Sequence, residues 1–124
     1  MRNPKRPVIN RKILLQAKPL RNTFVTWEED GDELYLNIPL KQVKLSKLWR
    51  FLFGLPEKKR IHLDILGTEV WKMCNGENTV RDIVKSIQER YNLSRKEAEV
   101  STLEYLRKLM ARHLIGLKIK EGGI

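Results

Sequence analysis

Residues 63–84 read LDILGTEVWKMCNGENTVRDIV. The stretch holds the only cysteine of the chain, a run with helical spacing, an Asn-Gly stop and a fresh helix start at Thr79. Asp64 is placed to cap a first helix running through Val70, Trp71 and Cys74 to a stop at Gly76. Thr79 caps a second helix with core positions Val80, Ile83, Val84, Ile87 and Tyr91. Asp82, three residues after the cap, forms a capping box with the shorter acid. Whether Cys74 does chemistry or fills a core decides how the stretch is read.

Downstream, Ser94 caps a third helix, and Glu97 completes its S-x-x-E box. The helix is expected to run to about His113, with a core stripe of Val100, Leu103, Leu106, Met110 and Leu114. Beside it lies a second stripe, Ala98, Thr102, Tyr105 and Leu109. A helix with two adjacent apolar stripes covers the core and something else, or sits in a crowded core. IGLKIKEGGI then offers a short final strand and a tail over 119–124.

Upstream, TFVTWEEDGDELYLNIP (23–39) reads as a hairpin turning at Asp30-Gly31. Leu34, Leu36 and Ile38 alternate with Tyr35 and Asn37, the period of a half-buried strand. RIHLD (60–64) makes a third strand, with Ile61 and Leu63 inward and His62 outward. Residues 1–20, interrupted by Pro4, Pro7 and Pro19, are expected to be an arm. The expected fold is α+β and winged-helix-like, a three-stranded antiparallel sheet followed by a three-helix bundle over residues 21–118.

The net charge of +10 is concentrated. Residues 1–20 hold six Lys/Arg and no acid, and residues 41–60 hold seven with one Glu, so the rest of the chain is slightly acidic. Such blocks attract nucleic acid, anionic lipid or acidic peptide, or simply solvate a surface. The insert 41–59 also carries Trp49, Phe51 and Phe53 among its basic residues, a pattern suited to docking a protein partner. No run is long enough to cross a membrane as an apolar helix, and no signal sequence is evident, so a cytoplasmic location is expected.

The chemistry-bearing inventory is small. Cys74, His62 and His113 are not spaced as metal ligands, and structural zinc requires four N/S donors. Cys74 has no neighbouring base in sequence to lower its pKa and lies one turn beyond Val70 and Trp71, which fits a small buried hydrophobe. His113 fits a residue favoured by the negative end of a helix. No glycine-rich phosphate loop is present. No catalytic residue, metal or cofactor is expected, and the chain reads as a binding protein rather than an enzyme.

The stretch LDILGTEVWKMCNGENTVRDIVKSIQERY, followed by EAEVSTLEYLRKLMARHLI, resembles the PqqD family. The matching residues are Asp64, Gly67, Val70-Trp71, Asn75-Gly76, Thr79-Val80, Ile83-Val84 and the closing Leu114-Ile115, with VTWEEDGDELYLNIP fitting the opening strands. The likeness covers roughly residues 20–116. It implies a non-catalytic recognition element for the leader of a ribosomally made precursor peptide. The leader adds as a strand to the sheet edge, packs against the third helix, and is presented to a modifying enzyme, often a radical S-adenosylmethionine enzyme. On this chain the implied peptide site is Arg60, Ile61, His62 and Leu63 on the edge strand, with Thr102, Tyr105 and Leu109 as the groove wall. A free strand edge and a spare apolar stripe give that implication a physical basis. The basic arm and the insert 41–59 depart from the family pattern. The insert is suited to docking the enzyme, holding an acidic leader, lying on a membrane surface or covering the edge itself.

A winged-helix DNA-binding protein is the competing class, with the third helix as recognition helix. Its first turns, RKEAEVSTLE, carry a net −1, and phosphates repel carboxylates there. No specific nucleic-acid partner is therefore expected.

Overall fold

The computed structural model describes residues 10–39 and 58–119. The elements in chain order are α1 (Arg11–Gln16), β1 (Lys18–Arg21), β2 (Thr26–Asp30), β3 (Glu33–Pro39), β4 (Lys58–Leu63), α2 (Ile65–Met73), α3 (Val80–Tyr91), α4 (Arg95–Ala111) and β5 (Ile115–Lys118). Strands β2, β3 and β4 form an antiparallel sheet in that order, and β1 pairs with β5 in a separate two-stranded sheet.

The main sheet follows from its alternation. Leu34 and Leu36 are fully buried and Leu63 nearly so, while Tyr35 and His62 lie across from one another on the outer face. The hairpin register Asp30↔Glu33 makes Gly31-Asp32 the two-residue turn, one position later than the Asp-Gly pair suggests. Gly at the first central position suits a turn whose twist matches the strands. On the inner face Trp27 meets Trp71 of α2 edge-on, at 5.7 Å between ring centroids. Arg21 stacks beside both indoles and donates to the carbonyls of Trp71 (2.9 Å) and Lys72 (2.8 Å). It thereby satisfies carbonyls that a helix leaves open at its C-terminal end.

All three helices start where their caps predict. Asp64 accepts from the Gly67 amide, and Thr79/Asp82 and Ser94/Glu97 form reciprocal capping boxes. The ends are earlier than expected. Helix α2 stops at Met73, before the left-handed Gly76, and α4 stops at Ala111, with His113 itself left-handed. Gly76 has a φ of +83°, so glycine is favoured there by the turn itself.

Two expectations are corrected. The segment 1–20 is not an arm throughout: Asn10 caps α1, and Leu15 and Ala17 are buried. Pro19 is buried in β1, where its carbonyl accepts from the Gly76 amide. Prolines that break a helix are compatible with a short strand whose amide at that position is not required. The division of α4 into two stripes is also corrected: Leu106 and Leu114 of the expected core stripe are buried, but so are Ala98, Thr102 and Leu109 of the other. The small Ala98 and Thr102 are fully buried, whereas Val100 is 60% exposed and faces away.

Cys74 is buried, with its thiol donating to the Val70 carbonyl at 3.1 Å. Burial pushes its pKa up to about 12, partly opposed by Arg21. The thiol is a core group that resists ionisation. Above the ordinary thiol range the unfolded chain releases this proton while the folded chain keeps it, so this residue's share of stability falls as pH rises from 9 towards 12. Two outcomes are expected: native protein resists iodoacetamide at pH 8 but reacts once unfolded in guanidinium, and Cys74→Ala lowers stability by about 1 kcal/mol in chemical denaturation.

Candidate functional site

The site is built on the open side of β4. Among the described residues no strand pairs with the edge of β4 opposite β3. Such an edge presents alternate backbone N–H and C=O groups outward. Helix α4 runs beside it, and the two enclose a groove of about 190 Å³. Strand β4 supplies Ile61, His62 and Leu63 to this groove, and α4 with its C-cap supplies Tyr105, Lys108, Leu109 and Arg112. These α4 positions recur at i, i+3, i+4 and i+7, one face of the helix. Leu63, Leu109 and Leu114 form a buried floor, and Lys108 and Arg112 form an exposed cationic rim.

The position of Tyr105 is set by the β4–α2 junction. Its hydroxyl donates to Asp64 Oδ1 at 2.5 Å, and the same oxygen accepts from the Gly67 amide at 2.8 Å. A Cβ on Gly67 would lie 2.7 Å from Tyr105 Cε1. Glycine at 67 is therefore what allows the phenol to lie against the first turn of α2. Burial, and then the hydrogen bond to the Asp64 carboxylate, hold the phenol proton more tightly than usual. One carboxylate thus caps α2 and ties α4 to the end of β4.

The structure brings together most of the expected peptide residues and separates others. Ile61, His62, Leu63, Tyr105 and Leu109 line the one groove. Arg60 lies on the outer sheet face, its guanidinium 4.0 Å from the Tyr35 ring centroid and paired with Glu28 at 3.3 Å. His62 pairs there with Glu33. Thr102 does not line the groove: it is fully buried, and its hydroxyl has no hydrogen-bond partner. The expected groove wall therefore contains one residue, Thr102, that belongs to the core instead. Lys108 and Arg112 were not anticipated; their signal is the spacing that places them on the face of Tyr105 and Leu109. Trp49, Phe51 and Phe53, the expected partner-docking residues, lie outside the described residues.

No group of three or more metal-ligating side chains occurs among the described residues, and no helix there is long and apolar enough to cross a membrane.

An antiparallel sheet of β2, β3 and β4, followed by the capped helices α2, α3 and α4, places the chain in the α+β class. The family described as Coenzyme PQQ synthesis protein D (PqqD) matches residues 52–115, slightly more than half of the sequence. The chain belongs to the PqqD family. Its fold is similar to that of a solved structure, TbiB1 in complex with the TbiA(beta) leader peptide, with a TM-score of 0.58 at 20% sequence identity; the match covers 77% of this chain and 93% of that one. No curated protein matches the sequence at a significant level.

Two sets of variants test this geometry. Gly67→Ala is expected to lower stability by about 1–2 kcal/mol, because displacing the Tyr105 ring outweighs the gain in helix propensity. In a Tyr105→Ala background the same change should be neutral or stabilising, and a double-mutant cycle measures the coupling. Thr102→Val should leave stability unchanged or raise it by up to about 1 kcal/mol in urea denaturation, since it removes a buried hydroxyl without a partner.

Proposed function

We propose that the chain is a non-catalytic recognition module for the leader of a ribosomally made precursor peptide. The leader adds to β4 as a further strand and lays alternate side chains into the groove beside α4. The observation that carries this reading is the conjunction of an open strand edge with an apolar-floored groove directly alongside it. The edge supplies affinity through backbone hydrogen bonds that any extended peptide can make, and the groove supplies selectivity. Membership of the PqqD family and the fold shared with a leader-bound protein support the same reading.

The groove suggests what the leader carries. Its floor of Leu63, Leu109 and Leu114 suits an apolar side chain, and the rim of Lys108 and Arg112 suits a neighbouring carboxylate. Lys108 approaches Glu104 only at 3.9 Å, and Arg112 has no ion pair among the described residues, so both cations are available to a ligand. Peptide side chains on the opposite face meet Tyr35, His62 and Arg60.

The chain then presents the bound peptide to a modifying enzyme, of the radical S-adenosylmethionine type or another, in the cytoplasm. Trp49, Phe51 and Phe53 of the insert are the residues suited to docking that enzyme. Cys74 supplies no nucleophile for chemistry of the chain's own, because its thiol is buried and its proton is held up to about pH 12.

The reading is tested by titrating isotope-labelled full-length protein with synthetic leaders of the precursor genes that neighbour its own. Saturable amide shifts are expected at residues 60–63 and 105–112. Ile61→Glu, at a half-buried position on the edge, should weaken binding about tenfold or more at a temperature where the variant is still folded by circular dichroism. Shifts confined to other surfaces, or full affinity in Ile61→Glu, would remove β4 as the binding edge.

A further inference from the structure

On a different face of the molecule α1, α3 and α4 enclose a wider depression of about 430 Å³. We propose that it is a second docking surface, which takes an acidic segment of a protein partner presenting an apolar side chain between carboxylates.

The floor of the depression is Leu15 and Val84, both nearly buried, and its rim holds the exposed cations Arg81, Lys85 and Arg95. Arg81, Val84, Lys85 and Gln88 recur at i, i+3, i+4 and i+7 on α3, so one helix face presents them together. Glu99 is the one acid among the lining residues, and Arg11 occupies it through both carboxylate oxygens, at 3.0 and 2.7 Å. What remains facing solvent is cationic.

Among the described residues none of these three cations is in a salt bridge, whereas Arg11, Arg60, Lys72, Arg90 and Arg107 each have one. Arg95, one helical turn before Glu99, does act on that carboxylate after Arg11. Arg81 and Lys85 are like charges four residues apart on one helix, an arrangement that disfavours the helix. Arg95 is the first residue of α4, where a cation opposes the helix dipole. A cluster that costs the fold something and encloses an apolar floor is accounted for by a ligand of opposite charge that also has an apolar part.

Charge disfavours two basic segments of the chain as occupant. Residues 1–9 carry Arg2, Lys5 and Arg6 with no acid, and residues 40–57 carry Lys41, Lys44, Lys47 and Arg50 against Glu57. A purely phosphate ligand would use the rim and leave the apolar floor unused, which favours a protein segment over nucleic acid. The surface uses the N-terminal end of α4, and the β4 groove uses its C-terminal half, so both can be occupied together. Identifying the partner with the modifying enzyme rests on the function proposed above; the chemistry of the surface does not.

The test uses full-length protein and a short fluorescein-labelled peptide of glutamates flanking leucines, read by anisotropy and amide shifts. Shifts are expected at residues 81–88 and 95–99, with binding that fades as salt is added. The triple variant Arg81→Gln/Lys85→Gln/Arg95→Gln should melt at or above the parent's temperature and lose about tenfold or more in affinity. A peptide with glutamine for glutamate should lose as much, and Ile61→Glu should bind the acidic peptide normally, which separates this surface from the leader site. Unchanged affinity in the triple variant, or no shift at these residues, overturns the proposal. Tighter binding of a short DNA duplex on the same residues overturns it too, in favour of a nucleic-acid surface.

Discussion

The Asp64 carboxylate is the constraint on which the rest of the site depends. It stands where β4 ends and α2 begins, and it serves two masters: the amide of Gly67 within its own turn and the hydroxyl of Tyr105 forty-one residues away. The first bond starts α2 at a fixed point after the strand. The second fixes how far α4 stands from β4, and so how wide the groove between them is. Gly67 completes the arrangement by leaving room for the phenol. Without these contacts the sheet edge would still exist, but the wall beside it would not be held in register with the strand.

Around that junction the molecule uses side chains to close what the backbone leaves open. Arg21 satisfies the carbonyl end of α2 and stacks between Trp27 and Trp71, so the hairpin, β1 and α2 meet at one guanidinium. Two reciprocal capping boxes begin α3 and α4. These devices use polar groups at element boundaries and leave the interior to Trp71, Leu34, Leu36, Ile83, Ile87 and Leu106.

How much of this was legible in the sequence depended on range. Caps at Asp64, Thr79 and Ser94 are local chemistry, written within four residues, and all three are where the sequence places them. The strands of the hairpin and β4 were legible from their alternation. The burial order on α4 was only partly legible: Leu106 is buried as its spacing suggests, but Ala98 and Thr102 are fully buried while the more apolar Val100 is exposed. The fold of residues 10–20 was hidden. Pro19 reads as a breaker until a partner strand makes its missing amide irrelevant, and that partner, β5, lies almost a whole chain away. For the site, Ile61, His62, Leu63, Tyr105 and Leu109 could be found by alternation and helical spacing with the family resemblance. The Asp64–Gly67–Tyr105 contact needs three dimensions.

The pairing of β1 with β5 brings Lys18 opposite Lys118. Closing that ladder joins residues a hundred positions apart, and the entropy of so large a loop must be met before any bond in it forms. During synthesis β1 has no strand to pair with until β5 has left the ribosome. The sheet hairpin, β4 and the three helices meet one another earlier in the chain, and β5 then packs on α4. The clasp of β1 and β5 is thus the last strand pairing of the fold for which both partners become available.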